Sequence, residues 1–153
     1  MALDKKLYDI KDNGGHLVFL DECIFKQRDM KRKAWSNAYE NLSVEDRTPN
    51  QPCQCICVAI CACHGMLAYH QVDYAFDHES FMVMLDNIAD AVKGNEKIYL
   101  FQDGASFHKN DLVKNRMKAH NMEPVHNVGY RFEYNPCERL WSELKMHYRN
   151  LLL

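Results

Sequence analysis

No apolar run in this sequence reaches the ~20 residues that a membrane-spanning helix needs. Leu17–Leu20 and Ile98–Phe101 are stretches of four. The chain does not open on a charged head, an apolar stretch and a small-residue cleavage site, so no secretory leader is expected. Internal repeats, low-complexity tracts and a linker long enough to divide two domains are all missing. Also missing is the basic excess of a free-standing nucleic-acid binder, whose affinity comes largely from neutralising phosphates. Nineteen Lys and Arg stand against 21 Asp and Glu, a formal net charge of −2. What is present is 153 residues of ordinary globular composition, 47% hydrophobic and 26% charged, the size of one domain. The expectation is a single intracellular domain without membrane contact: nuclear in a eukaryotic host, cytoplasmic or nucleoid-associated in a bacterium.

The average charge hides two local biases. Lys26–Lys33 sets Lys26, Arg28, Lys31, Arg32 and Lys33 against Asp29, a net +4, and Lys109–His120 carries a net +3. Phosphate contact and plain solvation are both open readings of such runs. Seven cysteines are present, and Cys53, Cys55, Cys57, Cys61 and Cys63 fall within eleven residues. Their spacing lacks the C-x2-C knuckle that lets two thiolates grip one zinc from a tight turn. All five sit at odd positions, so an extended strand puts them on one face, with Ile56, Val58, Ile60 and Ala62 on the other. That pattern predicts a strand buried on both faces with Cys as a small hydrophobe; a zinc or redox site is the alternative. Free thiols in this number point to a reducing compartment.

Period-two alternation predicts strands at His16–Phe25, Gln54–Cys63 and Met66–Tyr74, with His64-Gly65 turning between the last two. A helix is expected over His78–Lys93, capped by Asp77 and ended by Gly94, with Phe81, Leu85, Ile88, Ala89 and Val92 as its apolar stripe. Strand Lys97–Phe101, a helix over Asp111–His120 and a short strand around Pro124–Val128 follow. Asn135 as N-cap and Pro136 at the first helical position announce a last helix, with Leu140, Trp141, Leu144, Tyr148 and Leu151 on its buried face. This order predicts an α/β fold, a mixed sheet covered by helices on both faces.

Three acidic residues stand in unusual places. Asp21 interrupts the apolar row Leu17, Phe19, Cys23 and Phe25, where an unpaired carboxylate is costly; a salt bridge or a bound cation would relieve it. Asp103 follows Ile98–Phe101 where a buried strand emerges into a loop, the usual position of a site in an α/β sheet, although a turn Asp is common. Glu138 lies three residues after Asn135, which fits half of a capping box. Thirty-four residues separate Asp103 from Glu138.

The surroundings of the three are distinctive. Asp21-Glu22 ends the run Leu17–Leu20, Trp35 follows a basic stretch, and Gln102-Asp103-Gly104-Ala105 precedes His108. The segment Asn135 to Lys145 reads Asn-Pro-x-Glu-x-x-Trp-x-x-x-Lys. Together these resemble the DDE catalytic domain of mariner-like transposases and their bacterial insertion-sequence relatives, over nearly the whole chain from about His16 to Arg149. The closing segment and the 34-residue spacing are the most specific parts. This chain departs from the family at Asp103-Gly104-Ala105, where many relatives have Asp-Asn-Ala. It departs again at Tyr130–Tyr134, which replaces a proline-rich approach to the last helix.

The resemblance implies a ribonuclease H-like five-stranded sheet in which Asp21, Asp103 and Glu138 converge as catalytic residues. They would hold two Mg²⁺ or Mn²⁺ ions for strand cleavage and then strand transfer of a mobile element. Glu22 and His108 are secondary candidates for metal or DNA contact, while Trp141 and Leu144 are read as core. Transposon ends and target DNA, a TA dinucleotide, are the implied partners, with a homodimer in the full-length context. DNA contacts fall to Lys26, Arg28, Lys31, Arg32, Lys33, Trp35 and Lys145, most of them in the Lys26–Pro52 segment, which resembles the family's clamp loop. The family's N-terminal helix-turn-helix is not recognised ahead of His16, so one catalytic domain over 1–153 is expected. Two alternatives stand beside this: a domesticated or relict transposase fragment that binds DNA without catalysis, and a small zinc-binding interaction module built on Cys53–Cys63 and His64.

Overall fold

The computed structural model describes residues 2–12, 14–26, 53–94, 96–126 and 135–151. Helix α1 (Ala2–Asp12) leads into β1 (His16–Phe25), β2 (Gln54–Cys61) and β3 (Gly65–Asp73). Helix α2 (His78–Ala91) and β4 (Ile98–Gln102) follow, then a single 3₁₀ turn (Ser106–Lys109). Helix α3 (Asp111–Ala119), β5 (Met122–His126) and α4 (Cys137–Leu151) complete the order. The five strands form one sheet in the order β3-β2-β1-β4-β5. β1 pairs antiparallel with β2, and β4 runs parallel to both β1 and β5. A mixed sheet is the outcome of hairpins first and helical crossovers later.

Alternation along β1 sorts its side chains between two cores. Val18 and Leu20 join Cys57, Ala59, Cys61, Phe81, Leu85, Ile88 and Leu100 under α2 and α3. On the opposite face Phe19, Cys23 and Phe25 pack with Val58, Cys137 and Trp141 beneath α4, and Leu17 packs with Ile10, Phe101 and Val125 beneath α1. Helices therefore cover both faces, as the pattern predicts. Gly15, just ahead of β1, lies so close to the Tyr99 ring that an added Cβ would run into it.

Several expectations are corrected. Helix α1 was not predicted; its buried Ile10 explains why it docks. β2 ends at Cys61, so Cys63 leaves the strand for the turn and is exposed, while Cys55, Cys57 and Cys61 are buried. Burial pushes the thiols of Cys55 and Cys57 up, the latter well above the ordinary range, which is the behaviour of a small hydrophobe. Among the described residues, Cys61 alone of the five lies in a group that could hold a metal, with His16 and His64, and a five-stranded sheet is larger than the small zinc module offered as an alternative. On α4, Trp141 is buried and Leu140 partly so, but Leu144 and Tyr148 are exposed, the Tyr148 ring meeting Phe25 edge-on. Arg28, Lys31, Arg32, Lys33 and Trp35 lie outside the described residues, as does the Tyr130–Tyr134 departure.

Candidate active site

Asp21 sits in the middle of β1 opposite Val58 of β2, on the face covered by α4. It interrupts that apolar face because Trp141 supplies a partner: the indole Nε1–H donates to Asp21 Oδ2 at 3.0 Å. Burial raises the Asp21 pKa most, the Trp141 hydrogen bond lowers it, and the charges of Glu22 and Glu138 raise it further, to about 7. The carboxyl therefore sits among like charges in partial shelter from water, which disfavours its ionised form.

Glu138 reaches this face through the geometry of the helix start. Asn135 Oδ1 accepts the Cys137 N–H at 3.2 Å and its carbonyl accepts the Glu138 N–H at 3.2 Å, so Asn135 caps α4 as expected. Cys137 is buried, its thiol donating to the Phe19 carbonyl at 3.6 Å and its pKa pushed up to about 12, chiefly by burial. That plug sets the first turn of α4 against β1. Trp141 follows Glu138 by three residues, so the two share one side of the helix. Lys145, one turn further, is partly buried beside Cys23 and lowers that thiol's otherwise raised pKa. Lys26 directly follows β1 and is half-buried.

Asp103 follows β4 directly. The parallel register pairs Phe19 with Phe101, and Asp21 and Asp103 each lie two residues further on. The Asp103 carboxylate, 63% exposed, accepts the Ala105 N–H at 2.9 Å. It also lies 3.5 Å from His108 Nδ1, while His108 Nε2 lies 3.5 Å from Glu22 Oε1. The His108 side chain is only 1% exposed and its ring packs on Phe81, centroids 4.4 Å apart. Glu22 points to the α2 face, opposite to Asp21, and accepts the Cys57 thiol at 3.7 Å.

Among the described residues, Glu22, Asp103 and His108 offer ligand atoms that all lie within 4.8 Å of one another. Asp21, Asp103 and Glu138 do not form such a group: Asp21 and Glu138 interact electrostatically on the α4 side, and Asp103 is turned toward His108. Sequence reasoning named all five residues but missed the Trp141 bond to Asp21. The signal was the three-residue spacing from Glu138, which the reading of Trp141 as core absorbed.

A mixed sheet with helices on both faces, and carboxylates at Asp21 in mid-β1 and at Asp103 just past the end of the neighbouring β4, define a ribonuclease H-like domain. The chain belongs to the DDE superfamily endonuclease family, whose sequence profile matches residues 16–152. Its fold is similar to that of Mos1 mariner transposase. Against the Mos1 paired-end complex with Mn, the TM-score is 0.69 at 16% identity, covering 93% of this chain and 45% of that one. Against the paired-end complex with the left transposon end, the TM-score is 0.67 at 16% identity, covering 95% and 46%. The Mos1 catalytic domain with Raltegravir and Mg gives 0.66 at 14% identity, covering 97% and 69%. The chain thus spans less than half of the Mos1 chain in these paired-end complexes. Comparison with curated proteins gives no sequence match.

Proposed function

We propose that this chain is the catalytic domain of a transposase that cuts DNA at the ends of a mobile element and joins the freed 3′ end to target DNA, at a TA dinucleotide by its resemblance to mariner-like enzymes. Family membership over residues 16–152 supports the reading. One arrangement carries it: Asp21 on β1 faces α4 with Glu138 as a charged neighbour, Asp103 follows β4 at the matching register position, and the like charges repel. An all-oxygen donor set under that repulsion fits a hard divalent cation, and Mos1 structures named with Mn and Mg support the choice of ion.

Asp21, Asp103 and Glu138 would hold two such ions, which when bound activate the attacking oxygen and stabilise the leaving 3′ oxygen. The chain's own side chains prepare that site. Trp141 fixes Oδ2 of Asp21 and favours its ionised form. The Ala105 N–H orients the exposed Asp103 carboxylate, which would supply oxygen to an ion. His108, wedged on Phe81 with Nδ1 3.2 Å from the Asp103 carbonyl oxygen, anchors the loop that carries it. Lys145, together with Lys26, Arg28, Lys31, Arg32, Lys33 and Trp35, contacts DNA, and the full-length protein acts as a homodimer.

Asp21→Asn, Asp103→Asn and Glu138→Gln should each abolish Mg²⁺-dependent nicking of supercoiled DNA while leaving the circular-dichroism spectrum unchanged. Parental nicking by any one variant removes that residue from the site. A parent chain that binds DNA but nicks none with Mg²⁺ or Mn²⁺ would return the reading to a DNA-binding fragment without catalysis.

A further inference from the structure

A second cluster lies at the end of β1 remote from Asp21. His16 opens β1, Cys61 closes β2, and His64 stands in the turn before β3. The antiparallel pairing of Val18 with Cys61 brings these elements together. One ligand atom from each of the three residues lies within 4.8 Å of the others. Cys61 Sγ is 3.6 Å from His64 Nδ1, and the His16 and His64 rings are 5.2 Å apart at their centroids. In a tetrahedral zinc centre, bonds of about 2.3 Å to sulfur and about 2.0–2.1 Å to nitrogen place the two ligand atoms about 3.6 Å apart.

A thiol hydrogen bond alone would account for the Cys61–His64 pair. It does not account for His16 converging on both from another strand. His16 Nε2 pairs with Glu96 Oε2 at 2.5 Å, so in the proposed site Nδ1 is the ring nitrogen that would bind the ion. A carboxylate on the far nitrogen is the usual support of a metal-bound histidine. His16 and His64 also line a cavity of about 560 Å³ beside α1, so an ion has a path of entry.

We propose that His16, Cys61 and His64 bind one Zn²⁺, with Glu96 orienting His16, at a site separate from the carboxylates. The two nitrogens and one thiolate select zinc over Mg²⁺. The ion, with water completing its tetrahedron, ties the start of β1 to the β2–β3 turn.

The whole chain, stripped by a chelator, is titrated with Co²⁺ and then Zn²⁺. One Co²⁺ per chain should bind with a sulfur-to-cobalt charge-transfer band and tetrahedral d–d absorption, and one equivalent of Zn²⁺ should displace it. Zn²⁺ should also raise the melting temperature. His64→Ala, at an exposed side chain, and Glu96→Gln should each weaken Co²⁺ binding about ten-fold or more. Cys61→Ser should remove the charge-transfer band; should that variant not fold, the His64→Ala titration decides alone. Asp21→Asn and Asp103→Asn should titrate like the parent. A parent without the band, a band that survives Cys61→Ser, His64→Ala binding equal to the parent's, or loss of binding in the Asp variants would each overturn the proposal.

Discussion

Asp21 holds much of the site's electrostatics in one side chain. Its pKa rises from 3.8 to about 7, by burial first and by Glu22 and Glu138 after the opposing Trp141 bond. Without metal, the folded chain keeps the proton across this window while the unfolded chain has released it. Stability therefore falls as pH rises from about 4 to about 7, and the full cost of roughly 2–4 kcal/mol is in place above that range. Asp21→Asn, which keeps an oxygen for Trp141, should raise the melting temperature of the metal-free chain at pH 8 and change it little near pH 4. A difference that does not grow with pH would show that Asp21 ionises as an ordinary carboxylate. Divalent metal relieves the same repulsion, so the melting-temperature gain from millimolar Mg²⁺ should be larger at pH 8 than at pH 6, where the ion must also displace a proton. Trp141→Phe retains most of the buried ring and loses the donor. It should cost about 1–2 kcal/mol of stability and move the acid limb of a cleavage pH profile upward, since the influence that lowers the Asp21 pKa is gone. A profile that stays in place would leave Trp141 as packing alone.

At the scale of elements, the start of α4 positions Glu138. Asn135→Ala removes the side-chain acceptor for the Cys137 N–H and should cost about 1 kcal/mol in thermal melts. Nicking should fall by more than that loss explains at a temperature where the variant is fully folded, because the frayed turn carries Glu138; equal losses in both would mean that the cap is only structural. This cap was legible in Asn135-Pro136, as were β1 and β2 in their alternation and α2 in its stripe, because local chemistry decides each of them. Helix α1 was not legible, since Leu7 and Ile10 supply its apolar contacts amid lysines and aspartates and its docking depends on Phe101 and Val125. The exposure of Leu144 likewise depends on what packs against α4, which no periodicity reports. Within the site, Asp21, Asp103 and Glu138 were each conspicuous by position. The turn of Asp103 toward His108 and the convergence of His16, Cys61 and His64 follow from strand pairing and loop conformation, so residue spacing along the chain does not reveal them.

For the molecule as a whole, a net charge of −2 means that any grip on DNA is local and set against a repulsive background. The sheet's carboxylates repel phosphate until cations neutralise them, so basic side chains must supply the initial attraction. The run Lys26–Lys33 carries a net +4, and its first residue follows β1 directly and is half-buried. Replacing Lys31, Arg32 and Lys33 together by Ala should weaken duplex binding. It should also flatten the dependence of log K on log salt by about 2.7 if each side chain neutralises one phosphate. Fluorescence anisotropy across a salt titration reads both effects. The Mg²⁺-induced rise in melting temperature should match the parent's, since no carboxylate is changed. Binding and slope equal to the parent's across the titration would reduce the segment to a connection between β1 and β2, and would shift the search for the DNA contact to Lys145 and the second basic stretch, Lys109–His120.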